Sequence, residues 1–200
     1  MKKVYSKFLK TTLDTELPNA CPGFEPFTVR MKAEEKLKST LQAGEKVFRR
    51  VVDDGLWLFL SVIPHQSQER WMLEVGWSTL GRFPFDISRP TTVESDSEQR
   101  EFSRSECMVD FGDLFRLKHP NDLAHIGWDI WRCSVSHKHP RFKEIFIAED
   151  MMPVSDELAQ HRVAQAFSKF AEDLRELVLP YLEKREKAYR QKVGALAKHE

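Results

Sequence analysis

Histidine and cysteine side chains cluster between residues 133 and 139, the part of the sequence best suited to hold a metal ion. His137 and His139 are two residues apart, so on a strand their side chains point to the same side and can share one ion. Cys133 lies four residues earlier. A metal-dependent hydrolase that uses these three residues is therefore the alternative to a non-catalytic protein-binding function. Because their spacing matches no recognised ligand motif, we favour a solvated polar loop here.

Other motifs of catalysis are absent from the sequence. Asp110-Phe111-Gly112 is the triplet that holds magnesium in protein kinases, but the glycine-rich loop and the His-Arg-Asp loop of those enzymes do not occur. We interpret Asp113, which follows, as a helix cap or turn residue. No nucleophile elbow, phosphate-binding loop, dinucleotide fingerprint or His-Glu-x-x-His motif is present. The sequence favours a non-catalytic protein that needs no cofactor.

A polar segment over residues 84–105 carries the side chains that we expect to contact a partner. Loops longer than about 12 to 15 residues are uncommon in compact domains and are often functional. An acidic segment attracts a basic surface and orders on binding, so the expected partner is another protein with a basic surface. The acidic contact residues are Glu94, Asp96, Glu98 and Glu101. Trp77 and Phe83, just before the segment, are predicted to anchor the contact, with core packing as the alternative for Trp77.

Composition limits the class of protein. The 200 residues contain 31 Lys and Arg and 31 Asp and Glu, so the formal net charge is zero. A chain without a basic surplus has no general attraction for a phosphate backbone, and we expect no nucleic-acid partner. No window approaches 18 apolar residues and the first ten residues alternate charged and apolar types. We therefore expect no membrane association and a cytoplasmic location.

The elements that position these residues begin with a helix and a hairpin. Apolar residues three to five apart between Val4 and Leu17 predict an amphipathic helix, ended by Pro18 and the following Pro22-Gly23. The Asp53-Asp54-Gly55 sequence predicts a tight turn between two strands, because Asp-Gly adopts the positive backbone angles of such turns.

Three further strands are predicted around this hairpin. Residues 24–31 alternate apolar and polar types, and Pro26 keeps that strand short or at an edge. Residues 71–77 place both tryptophans of the segment on one face. Residues 142–148 form the last predicted strand. The expected fold class is α+β, with an antiparallel sheet of four to six strands packed on helices from the two ends of the chain.

The C-terminal part predicts a long amphipathic helix over residues 156–178, since its apolar residues recur every three or four positions. Ser155 is its expected N-cap, and Pro180 is expected to kink or stop it. A thinner apolar stripe continues beyond Pro180. We predict one domain over residues 1–183 and a charged helical tail over residues 184–200.

The order of these features resembles uncharacterised bacterial domains of unknown function. The resemblance lies in the leading helix that closes at Gly23-Phe24, the Phe48-Arg49-Arg50 strand, the hairpin into Trp57-Leu58-Phe59-Leu60-Ser61-Val62 and the late Leu179-Pro180-Tyr181-Leu182. Members of such families often occur beside toxin, immunity or defence genes. The resemblance therefore implies a binding role in such a system, and it assigns no functional residue.

Overall fold

The computed structural model describes residues 1–29, 41–42, 44–53, 55–65, 68–84, 105–121, 127–130 and 153–196. It confirms the predicted α+β class. The helices are α1 (Lys3–Ala20), α2 (Phe111–Lys118), α3 (Asp156–Asp173) and α4 (Leu179–Leu196), with a π-helical turn over Leu174–Val178 between the last two. The strands are β1 (Glu25–Phe27), β2 (Lys46–Asp53), β3 (Leu56–Pro64), β4 (Arg70–Ser78), β5 (Glu106–Asp110) and β6 (Trp128–Asp129).

The six strands form one antiparallel sheet in the order β1-β2-β3-β4-β5, and β6 pairs with the start of β4. The predicted hairpin is confirmed as β2 and β3, with Phe48 opposite Leu60. The positive backbone angle predicted for Gly55 is wrong, since the described glycines with positive φ are Gly23, Gly44, Gly81 and Gly127. Asp53 supports its turn by accepting a hydrogen bond from the Gly55 N–H at 3.1 Å. The predicted strand over residues 24–31 is short, since β1 holds only three residues. The predicted strand over residues 142–148 lies outside the described residues.

One face of the sheet packs on the helices and forms the main core. Trp71 and Trp77 of β4 both point to this face, as the alternation predicts, and neither is exposed to solvent. The ring of Trp71 meets Phe170 of α3 edge to face, and that of Trp77 meets Tyr181 of α4. The opposite face carries a smaller apolar cluster, defined below. The described helices therefore cover one face of the sheet and leave the smaller apolar cluster on the other.

Helix α1 ends at Ala20, between Pro18 and Pro22, so the helix end predicted from Pro18 with Pro22-Gly23 is confirmed. Pro18 lies in the last turn, where its missing N–H removes only one helical hydrogen bond. The turn still closes beyond it, because the Cys21 N–H donates to the Leu17 carbonyl at 2.8 Å.

The C-terminal helix begins as predicted, with the Ser155 hydroxyl accepting a hydrogen bond from the Leu158 N–H at 3.2 Å. It then continues through Pro180, so of the predicted kink or stop at this proline the stop does not occur, and a π-helical turn over Leu174–Val178 precedes the proline. Proline cannot donate to the carbonyl four residues earlier, and Lys118 of α2 donates its Nζ to that carbonyl, of Glu176, at 3.5 Å.

Helix α4 also crosses residue 183 without a break. Its Arg185 side chain is only 3% exposed, and Glu186 binds Arg50 of β2 at 3.1 Å. These contacts dock the first turns of the predicted tail on the sheet. The boundary between a domain over 1–183 and a tail over 184–200 stays a prediction.

No helix among the described residues is long and apolar enough to cross a membrane.

Candidate functional site

The structure places the two predicted aromatic anchors on opposite faces of the sheet. Trp77 is fully buried against the helices, with the guanidinium of Arg185 5.0 Å from its ring centroid. Phe83 is 6% exposed and packs edge to face on Phe59, on the other side, at 5.2 Å. Trp77 therefore packs in the core. Whether either residue contacts a partner stays a prediction.

The other predicted site residues lie outside the described residues. They are the acidic side chains Glu94, Asp96, Glu98 and Glu101 and the proposed metal ligands Cys133, His137 and His139. Within the described ranges, no group of three or more His, Cys, Asp or Glu side chains is placed to hold a metal ion. Both the acidic contact and the metal site stay predictions.

The face of the sheet turned away from the helices carries an aromatic cluster around one arginine, which we call the Arg49 cluster. Its members are Phe27, Arg49, Trp57, Phe59 and Phe83. Phe59 and Phe83 are buried, whereas Phe27, Arg49 and Trp57 are half-buried. The cluster thus has a packed base and a partly exposed rim.

Strand register explains how these side chains meet. Arg49 of β2 lies opposite Phe59 of β3, and Val51 lies opposite Trp57. Phe27 of β1 lies opposite Val47. Residues directly opposite in antiparallel strands share a face, and diagonal neighbours lie within reach of aromatic and long side chains. Arg49 is therefore flanked by Phe27 on one side and Trp57 on the other.

The guanidinium of Arg49 lies over both flanking rings. Its central carbon is 4.5 Å from the Phe27 ring centroid and 4.3 Å from that of Trp57. These are cation–π distances, each contact contributing on the order of 0.5–1 kcal/mol at a partly exposed site. Glu25 lies opposite Arg49 in the register but forms no ion pair with it. Within the described part of the chain, the Arg49 side chain forms no hydrogen bond or ion pair.

Two exposed apolar side chains border the rim of the cluster. Val51, opposite Trp57 in the register, is 47% exposed, and Leu80 is 52% exposed. Leu80 follows the end of β4, where Ser78 pairs with Trp57. The apolar surface therefore extends beyond the three rim residues.

A cleft of about 380 Å³ opens beside Phe27. Its described walls combine apolar residues such as Phe27 and Val29 with polar ones, of which Lys46 is paired with Asp14 of α1 and Glu45 accepts a hydrogen bond from Ser61. Clefts of about 300–1,000 Å³ accommodate small molecules or side chains of a partner. Phe27 is shared between this cleft and the Arg49 cluster, so the two form one continuous surface.

A row of polar side chains crosses the same face farther along the strands. Ser61, Glu74 and Asp110 are paired in register on β3, β4 and β5. The Ser61 hydroxyl donates to Glu45, and Asp110 caps α2 by accepting from the Gly112 N–H at 2.7 Å. The residue that caps this helix is therefore Asp110 rather than Asp113. Asp110 and Glu45 thus stabilise local structure through these hydrogen bonds.

Sequence reasoning missed Arg49 and this polar row as features of one surface. The signal for Arg49 was its alternation with buried Phe48, which places it on the opposite side of β2. The signal for Glu74 was its position between Leu73 and Val75, which point to the helices, because successive side chains of a strand lie on opposite faces. Neither signal indicated which aromatic rings would lie beside the arginine.

Cys21, at the end of α1, provides a testable electrostatic feature away from this surface. Burial raises the pKa of its thiol from 9.0 to about 12, although nearby Arg50 acts in the opposite direction. Above pH 9 the unfolded chain loses this proton while the folded chain keeps it. We expect the free energy of unfolding to fall by about 1.4 kcal/mol per pH unit between these values.

Urea unfolding at pH 8 to 11 measures this dependence, with Cys21→Ala as the control that removes the thiol. Because lysines and tyrosines titrate in the same range, the relevant quantity is the difference in pH slope between the two proteins. Equal slopes would show that the Cys21 thiol does not resist ionisation in the fold.

Comparisons with known proteins provide no homologue from which a role could be transferred. The resemblance described for the sequence is therefore neither supported nor contradicted by them. The functional assignment rests on the geometry of the Arg49 cluster and the surface around it. No protein-family model, curated protein or solved structure matches this chain.

Proposed function

We propose that this chain is a non-catalytic protein-binding module of a bacterial cytoplasm, acting as an immunity or defence-system component. The observation that carries the binding role is the partly exposed rim of the Arg49 cluster. Tryptophan and arginine are enriched among the residues that dominate binding energy at protein interfaces, and Trp57 and Arg49 lie side by side here. The bacterial setting rests on the sequence resemblance.

The exposed apolar neighbours support the same proposal. Val51 and Leu80 extend the apolar area around the half-buried rings of Phe27 and Trp57. A protein interface typically has such an apolar centre surrounded by polar groups. Phe83 connects the cluster in sequence with the acidic residues proposed to contact a basic surface of the partner. A partner that covers the cluster would thus contact Phe83, the described residue of the predicted contact that precedes the acidic residues in the sequence.

Affinity capture from the source organism tests this function. The native chain is expected to retain a stoichiometric partner that Val51→Glu and Leu80→Glu variants lose, because each change places a charge in the apolar part of the interface. Leu158→Glu and Val193→Glu are matched controls, since these exposed residues of the helices are 42% and 45% exposed. The controls should retain the partner, as measured by quantitative mass spectrometry.

A second set of variants tests the acidic contact. Charge reversal of Glu94, Asp96, Glu98 and Glu101 to lysine is expected to slow association with a basic partner surface, and to slow it most at low ionic strength. Stopped-flow measurements with the captured partner give this rate. Loss of the partner from both apolar and control variants, no partner at all, or turnover of a small molecule by the isolated chain would contradict the proposed function.

A further inference from the structure

We infer that the Arg49 cluster binds a carboxylate side chain on an acidic peptide segment of the partner protein, with an apolar neighbour of that carboxylate in the cleft beside Phe27. This inference rests on the proposed function and specifies the chemistry of the partner. Arg49 provides the charged contact, and Phe27 and Trp57 hold its guanidinium in place. The cleft provides the apolar contact.

The state of Arg49 differs from that of the arginines around it. Arg50 is paired with Glu186 at 3.1 Å, Arg70 with Asp129 at 2.8 Å, and Arg82 with Glu106 through two hydrogen bonds. Within the described part of the chain, Arg49 has only its two aromatic contacts. A guanidinium on aromatic rings keeps N–H donors at its edge, and their fork geometry matches a carboxylate.

Charge on the same face favours a protein carboxylate over a nucleic acid. Glu25 lies opposite Arg49, and Glu74 and Asp110 lie on the same face farther along the sheet. A phosphate backbone is bound by several cations along its length, whereas this face presents one unpaired cation among its described residues. A single carboxylate can pair with the single guanidinium, whereas a series of phosphates would be repelled by these acidic groups.

The cleft defines the neighbouring position of the peptide. Phe27 contacts Arg49 and also lines the cleft, together with Val29 and Leu41. Its volume of about 380 Å³ accommodates one or two aliphatic or aromatic side chains. Lys46 at the edge of the cleft is already paired with Asp14. The expected motif therefore combines Asp or Glu with a large apolar residue close to it in the sequence.

Selection from a random 12-residue peptide library tests this motif with the full chain as bait. We expect enrichment of Asp or Glu close to a large apolar residue. For a selected peptide, Arg49→Gln should raise the dissociation constant at least tenfold, and so should replacement of the peptide carboxylate by its amide. The two changes together should cost little more than either alone, because both remove the same contact.

Two further variants separate this contact from a general effect of charge or stability. Arg49→Lys keeps the charge but loses the planar fork, so its affinity should fall between those of the native chain and Arg49→Gln. Arg175→Gln, on the exposed surface of the C-terminal helix, should change the dissociation constant less than twofold. Thermal unfolding of each variant verifies that it is folded under the binding conditions.

Several outcomes would overturn the inference. They are selection without an acidic position, equal affinity for native and Arg49→Gln chains, and Arg49-dependent binding of a single-stranded oligonucleotide instead of the peptides. Competition by a synthetic peptide of residues 91–104 would assign the surface to this chain's own segment. A concentration-dependent dimer lost in Arg49→Gln would assign it to a second copy. If Arg49→Gln retains the captured partner while Val51→Glu loses it, the protein-binding function stands and the carboxylate assignment fails.

Discussion

Replacement of Gly76 by alanine is expected to lower the free energy of unfolding by about 3 kcal/mol, at the upper end for overpacked sites. A Cβ at this position of β4 would lie 2.2 Å from the Met108 sulfur and 2.4 Å from the Cys107 carbonyl oxygen. The carbonyl belongs to the backbone of β5, which pairs with β4 at this point. The clash can be relieved only by separating the two strands.

Thermal unfolding measures this effect, and about 3 kcal/mol corresponds to a decrease in Tm of roughly 6–12 °C for a chain of this size. Gly55→Ala is the control, because its new Cβ would meet the Tyr189 hydroxyl at 1.9 Å. That hydroxyl is the end of a half-buried side chain that can rotate away. Gly55→Ala should therefore cost about 1 kcal/mol or less. Equal losses in the two variants would contradict the packing described for β4 and β5.

Replacement of Phe170 by alanine is expected to lower the free energy of unfolding by about 3–5 kcal/mol. Phe170 of α3 is fully buried. Its ring centroid is 6.0 Å from that of Trp71 and 4.6 Å from that of Trp128, both at edge-to-face angles. Its removal leaves a cavity between the helix and the sheet, and two tryptophans lose a packing partner.

Urea unfolding followed by tryptophan fluorescence measures this loss. Lys169→Ala, at the neighbouring exposed position of the same helix, should change the free energy of unfolding by less than about 0.5 kcal/mol. A loss below about 1 kcal/mol for Phe170→Ala would mean that α3 does not pack on the sheet through this residue, since buried Phe→Ala changes cost more.

The residues that could do chemistry were predicted less completely than the fold around them. The sequence directed attention to the histidines near residue 137 and to the acidic segment after Phe83, which lie outside the described residues. In the Arg49 cluster, Phe27 lies 22 residues before Arg49 and Phe83 lies 24 residues after Phe59, whereas Arg49, Trp57 and Phe59 belong to one hairpin. The contact of Arg49 with Phe27 depends on the pairing of β1 with β2, and no local pattern specifies that register.

The sequence by itself determined the local elements. The Asp53-Asp54-Gly55 sequence specified where the hairpin turns, although Gly55 lacks the positive φ expected of it. The alternation over residues 71–77 specified which side chains share a face, and Ser155 specified the start of a helix. Each depends on neighbouring residues only, because turn angles, strand periodicity and helix capping act over a few positions. The outcome at Pro180 shows the limit of such reasoning, since Lys118 of α2 donates to the Glu176 carbonyl, which the proline leaves without its helical N–H donor.

Only the tertiary structure decided which face of the sheet the helices cover and what remains on the other face. The strand over residues 56–63 is apolar on both faces, so its pattern cannot indicate the side on which a helix packs. Pairing across β1, β2 and β3 then placed Arg49 over Phe27 and Trp57. The position of Phe27 beside Arg49 depends on the register between β1 and β2, which are distant in the chain and are aligned by the packing of the whole core.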